Sequence, residues 1–137
     1  MRKFEKISFK QFKKEISEDK KLYESISLPQ RSTKHSAGYD IKSMTRGIIK
    51  PGESMVFNTG IKSCFNEDEV LYIFPRSSFG YKYDVTLSNC VGLIDSDYYN
   101  NEDNEGHIKV KLINHGSKDL EINIGDRIAQ GMFISNN

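Results

Sequence analysis

Apolar and polar residues repeat along this chain with two different periods. Over residues 8–17 the apolar positions Phe9, Phe12 and Ile16 fall three and four apart, with lysines and glutamates between them. That spacing predicts one amphipathic helix, docked by its apolar face on a core. Ser8 followed by Gln11 forms the capping-box pair that would start it. From residue 39 onward the period becomes two. Ile108, Val110 and Leu112 alternate with Lys109 and Lys111, so one face meets the core and the other meets water. Leu120, Ile122 and Ile124 alternate in the same way. Ile48 and Ile49 lead into a Pro51-Gly52 turn, and residues 55–65 read as a strand broken at Gly60. Residues 70–74 are apolar on both faces, as in a buried strand, and residues 128–134 supply the last strand. Many short strands with little helix between them predict an all-β sandwich or barrel with one short N-terminal helix.

The 137 residues suit one domain spanning residues 1–137, because neither a linker nor a repeat interrupts them. Twenty basic side chains against nineteen acidic ones leave a net charge of +1, which argues against nucleic acid or a membrane surface as the main partner. No apolar run approaches the roughly 18 residues needed to span a bilayer. The start, Met1 to Lys6, is too charged for a secretory leader. Cys64 and Cys90 have no partner motif and read as lone thiols in a reducing cytoplasm.

Four segments carry residues suited to chemistry. Residues 89–98 hold an amide (Asn89), a glycine (Gly92), carboxylates (Asp95 and Asp97) and an aromatic ring (Tyr98), with apolar neighbours such as Ile94. The pattern predicts a β-hairpin arm that reads a flat polar ring through its backbone and the Asn89 amide. Asp95 would hold a water within hydrogen-bond reach of the ligand. Tyr98 could stack on a sugar or pack at an interface. Residues 75–80 follow a buried strand with Arg76, Ser77 and Ser78, a fork of donors and two hydroxyls suited to a polyphosphate, or simply a surface turn. Residues 37–40 and 125–130 each set an acid beside a glycine at a strand boundary. Asp40 could hold a hydrated cation or close a turn; Gln130 could donate to a phosphate or to a neighbouring strand. Asp126 and Arg127 suit a structural ion pair. His35, His107 and His115 share no ligand spacing, so no zinc site is expected.

Taken in this order, Ala37-Gly38-Tyr39-Asp40-Ile41, Pro75-Arg76-Ser77-Ser78, residues 89–98 and Gly125-Asp126-Arg127-Ile128-Ala129-Gln130 resemble the first four motifs of the trimeric dUTPase family. The short segments are weak singly; the ordered set, with Gly92-Leu93-Ile94-Asp95-Ser96-Asp97-Tyr98 nearly intact, is specific. The resemblance implies a jelly-roll β fold and a homotrimer with sites at subunit interfaces. It implies Mg²⁺-aided hydrolysis of dUTP to dUMP and pyrophosphate. Asp95 would orient the attacking water. Tyr98 would lie against the deoxyribose, and Asn89 with the backbone around Gly92 and Ile94 would read uracil. Arg76, Ser77, Ser78 and Gln130 would hold the phosphates, and Asp40 would reach Mg²⁺ through water.

Two features depart from the family pattern. Residues 99–105 form an acidic, Asn-rich insert before Gly106-His107-Ile108, as in a subset of bacterial and phage members, and read as a surface or interface feature. The family's fifth motif, a glycine-rich C-terminal lid arm, has no counterpart up to Asn137. Two other functions remain open on the same fold. A dCTP deaminase would need a glutamate acid/base near the arm, where Asp95 stands instead. A non-catalytic dUTP sensor would bind without turnover.

Overall fold

The computed structural model describes residues 2–135; Met1, Asn136 and Asn137 lie outside them, and with them the chain end on which the lid-arm expectation falls. The described strands are β1 (Lys3–Lys6), β2 (Gln30–Arg31), β3 (Tyr39–Lys42), β4 (Gly47–Ile49), β5 (Ser54–Asn58), β6 (Ile61–Cys64), β7 (Glu69–Pro75), β8 (Val85–Leu87), β9 (Gly92–Asp95), β10 (Lys109–Asn114), β11 (Leu120–Ile122) and β12 (Arg127–Ser135). Two helices, α1 (Phe9–Glu15) and α2 (Lys20–Glu24), follow β1. Every strand pair is antiparallel. The largest sheet runs β2-β3-β12-β7-β9, a second runs β5-β10-β8, and β1-β6 and β4-β11 complete a mostly-β jelly roll.

The predicted alternation decides what is buried. On β10, Val110 and Leu112 are buried while Lys109 and Lys111 are exposed. On β7, Leu71 and Ile73 face the core and the opposite face is half-covered. Each such side chain contributes about 1.5–3 kcal/mol by leaving water. Gly60, at φ 73°, separates β5 from β6 where the left-handed backbone suits glycine. Ile124 does not continue β11; it lies in the 123–126 turn and is 38% exposed.

The N-terminal third departs most from expectation. There are two short helices in place of one. α2 spans five residues, too few for a 3.6 period to show, and is started by Asp19, whose carboxylate accepts from the Lys21 and Leu22 N–H groups. Its Tyr23 ring lies 5.2 Å from both Phe9 and Phe12 of α1. β1 and β2 precede residue 39 and were not expected; β1 buries only Phe4, so it carries almost no apolar alternation. The capping box is half formed. Ser8 Oγ accepts from the Gln11 N–H at 3.1 Å, but the Gln11 side chain donates to Glu15 at 2.5 Å. The Ser8 N–H is taken instead by Glu105, at 2.6 Å.

Candidate active site

β8 and β9 are consecutive, yet β8 pairs with β10 and β9 pairs with β7. The expected hairpin is therefore splayed, with no ladder between its strands among the described residues. The turn is held by Cys90 N–H donating to the Leu87 carbonyl (3.0 Å) and Val91 N–H to that of Asn89 (2.7 Å). Cys90 takes φ 66° there. The two strands part because each one's apolar side chains join a different sheet, and a cavity of about 570 Å³ opens beside them. Asn89, Gly92, Ile94, Asp95 and Tyr98 all line it, so this part of the predicted site is brought together. Gly92 sits opposite Ile73, where an added Cβ would come within 3.1 Å of the Ile73 side chain. Lys109 and Lys111 also line the cavity. Strand alternation marked them only as solvent-facing.

The other predicted residues gather elsewhere on the same sheet. Gln130 on β12 stands between Asp40 on β3 and Phe74 on β7. Gly38 gives its side chain room: a Cβ there would lie 2.8 Å from Gln130 Oε1. Arg76 continues from β7, its N–H donating to the Ile128 carbonyl at 3.1 Å, with Ser77 and Ser78 next in line. Asp95 pairs with Val70 at the far end of β7, roughly 17 Å along the strand from Pro75. Within one chain Asp95 is thus remote from Arg76, Ser77 and Ser78, whereas Gly92 lies level with Gly131, both paired with Ile73.

Most polar side chains of both clusters are unpaired. Those of Arg76, Ser77, Ser78, Asn89, Asp95 and Gln130 make no hydrogen bond or ion pair among the described residues; Arg76 only lies over the Phe79 ring, 5.9 Å away. Asp40 differs. Its carboxylate faces Arg127 at 3.6 Å. The ion pair expected between Asp126 and Arg127 is therefore not the one formed. Asp126 lies in the turn before β12, where it accepts from the Asn123 N–H at 2.7 Å. Among the described residues no cluster of three or more His, Cys, Asp or Glu is placed to hold a metal ion.

Behind the pocket lies a layer that sequence reasoning missed. His107 is fully buried. Its Nε2 accepts from the Gly60 N–H at 2.9 Å, so the proton resides on Nδ1, which donates to Glu15 Oε1 at 3.0 Å. Burial holds the His107 pKa below its ordinary value, against the pull of Glu15. Lys109 pairs with the other Glu15 oxygen. Burial works to raise the Glu15 pKa, but bonds from Lys109, Gln11 and His107 outweigh it and bring it to about 2. The 99–105 insert lies at the surface, half-buried or exposed throughout, and its inner side folds onto this layer. Glu105 accepts from the Ser8 N–H, Ser8 Oγ and Lys62 Nζ. Tyr99 donates to Glu5 of β1, and Lys62 donates to Asn100. These contacts link residues up to 97 apart in sequence, so no local pattern foretells them.

A mostly-β jelly roll whose cleft is lined by a carboxylate, an amide and a tyrosine defines the class: small-ligand binding at the edge of a sandwich. The family model for dUTPase matches residues 24–137, and the chain belongs to the dUTPase family. Deoxyuridine 5'-triphosphate nucleotidohydrolase of Lactococcus lactis subsp. lactis is 45% identical over 109 residues, covering 80% of this chain and 73% of that protein. The crystal structure of dUTPase from Streptococcus mutans superimposes with a TM-score of 0.78 at 38% identity, over 96% of this chain and 94% of that one. A dUTPase from phage phi11 of S. aureus, described with a structural Mg(II) ion, has a TM-score of 0.74 at 19% identity over 98% of this chain and 90% of its own, which shows a shared fold.

Proposed function

We propose that this chain hydrolyses dUTP to dUMP and pyrophosphate, as one domain working in a homotrimer. The observation that carries the reading is the cleft beside β8 and β9, where Asp95 stands unpaired next to Asn89, Gly92, Ile94 and Tyr98. Uracil enters between the splayed strands, and Asn89 with the β9 backbone reads its edge. A site built around hydrogen bonds rejects a mispaired base because its own polar groups go unsatisfied. The Tyr98 ring lies against the deoxyribose. Asp95 accepts a proton from the water that attacks the α-phosphorus; the bond from that phosphorus to the bridging oxygen breaks, and pyrophosphate leaves.

Arg76, Ser77, Ser78 and Gln130 bind the phosphate chain. Along β7 they stand from roughly 13 Å (Gln130, opposite Phe74) to roughly 17 Å or more (Arg76 onward) from this chain's own Asp95, too far to serve the same phosphorus. The separation supports a site completed by two chains, one giving the base pocket and Asp95, the next giving the phosphate donors. Mg²⁺ fits the residues present in one way only. A lone carboxylate per chain suits an ion that keeps most of its waters, so Asp40 would hold it through water after loosening its 3.6 Å pair with Arg127. Bound to the triphosphate, the ion offsets negative charge. The insert is of the kind carried by some bacterial and phage members. A cytoplasmic setting accords with the two free thiols, Cys64 and Cys90, and among the described residues no helix is long and apolar enough to cross a membrane.

The test is to incubate the protein with Mg²⁺ and dUTP, dCTP or UTP and identify the products. The expected result is dUMP and pyrophosphate from dUTP alone. Ammonia from dCTP, or tight dUTP binding without products, would contradict the reading.

A further inference from the structure

We propose that Asn101 and Asn104, in the insert, are positioning residues that hold the Tyr98 ring rigid in the pocket and so set how strongly a ribonucleotide is rejected. The inference rests on the reading of Tyr98 as the sugar wall and names what would make that wall stiff.

Tyr98 is held at both ends. Asn101 Nδ2 donates to the Tyr98 carbonyl at 2.7 Å, and Asn104 Nδ2 donates to the Tyr98 hydroxyl at 2.8 Å. The hydroxyl in turn donates to the His107 carbonyl at 2.8 Å. Both amide orientations are dictated by their other ends. Asn101 Oδ1 accepts the N–H groups of Asp103 (2.9 Å) and Asn104 (3.0 Å), which leaves its Nδ2 for Tyr98. Asn104 Oδ1 accepts from Gly106 N–H (3.0 Å) and Asn101 Nδ2 (2.9 Å), which leaves its Nδ2 for the hydroxyl. The His107 end is anchored, its ring fully buried and hydrogen-bonded to Gly60 and Glu15.

Gly106 lets the loop close this far. At φ 90°, an added Cβ would stand 2.8 Å from the Tyr98 carbonyl oxygen. The asymmetry within the pocket is informative. The Asn89 and Asp95 side chains have no partner among the described residues, as suits groups awaiting a ligand. The Tyr98 hydroxyl has a donor and an acceptor already, so it is spent on orientation and only the ring face is offered. A wall excludes a 2′-hydroxyl only if it cannot yield, and a shift of about 1 Å is enough to spoil such a fit.

The test compares kcat/KM for dUTP and UTP, and Kd for dUMP and UMP, in the full chain with Asn104→Ala, Asn104→Asp, Tyr98→Phe or Tyr98→Ala. Asn104→Asp keeps the acceptor oxygen for Gly106 and loses only the donor, so it serves if Asn104→Ala folds poorly. The first three variants are expected to lose roughly tenfold of the deoxy-over-ribo preference, the worth of one hydrogen bond, mainly by accepting the ribonucleotide better. A merely structural role would lower the melting temperature and scale both nucleotides together. Wild-type preference in both Asn104 variants, with preference lost in Tyr98→Ala, would overturn the clamp. Preference retained even in Tyr98→Ala would overturn the sugar-wall reading itself and the clamp with it.

Discussion

Asp95 and Glu15 are carboxylates placed near the same pocket and used in opposite ways. Asp95 is exposed, at the pocket mouth, and makes no hydrogen bond among the described residues. Glu15, at the C-terminal end of α1, holds Gln11, His107 and Lys109. The same division runs through the whole region. The Asn89 side chain is unpaired, whereas those of Asn101 and Asn104 are engaged at both ends. Unpaired polar groups in a cleft cost little while water serves them and are available to a ligand; engaged ones fix geometry. The pocket therefore has an unpaired front open to a ligand and a bonded back that keeps its shape.

Removing the front carboxylate should give the largest effect on rate. Asp95→Asn is expected to lower kcat on dUTP by about 10²–10⁴-fold while nucleotide binding and melting temperature stay near wild type. Steady-state kinetics with calorimetric binding of dUMP checks this. An unchanged rate would end the assignment of Asp95.

Removing the back carboxylate should do the reverse. Glu15→Ala leaves the buried His107 N–H without its acceptor and should cost about 2–3 kcal/mol in a urea titration. The pH dependence follows from the same residues. Glu15 titrates at about 2 in the fold and near 4.5 when unfolded, so between those values the unfolded chain binds more protons. Its stabilisation is complete above pH 4.5 and disappears as pH falls toward 2. Glu105, lowered by its bonds to Ser8 and Lys62 against the opposing effect of burial, acts in the same direction. His107, kept neutral by burial, adds an earlier loss that begins as pH drops below 6.5, where the unfolded imidazole takes a proton. Melting temperature against pH should fall in these two stages, and Glu15→Gln should flatten the lower one.

A smaller effect is expected at the seam between insert and helix. Glu105→Ala removes the group that caps the Ser8 N–H and pairs with Lys62, and should cost about 1–2 kcal/mol. Denaturant unfolding measures it. A loss of dUTP turnover with no loss of stability would place Glu105 in the front group and blur the distinction.

The front of the site was far more legible in the sequence than the back. Asn89, Gly92, Ile94, Asp95 and Tyr98 lie within ten residues, so a local motif carries them. Strand alternation likewise anticipated β10 and β11, because each buries every second side chain. The back is assembled across sequence. Glu15 meets His107 over 92 positions and Ser8 meets Glu105 over 97, and nothing local distinguishes these residues from ordinary surface ones. The place of His107 as a buried hydrogen-bond hub had no signature in the sequence. β1 and α2 were missed because each is too short to display a period. Asp40 was matched to a motif, while its pairing with Arg127 came from the β3–β12 register, which only the fold supplies.

The proposed sharing of each site between two chains, one giving the base pocket and the next the phosphate donors, can be broken by mixing two crippled chains. Asp95→Asn chains lack the water-orienting group, and Arg76→Ala chains lack a phosphate donor; each assembly alone should be nearly inactive on dUTP. Co-refolded at equal amounts, they should recover about one quarter of wild-type activity, because that fraction of shared sites draws an intact residue from each neighbour. A mixture no more active than its two parents would contradict the account.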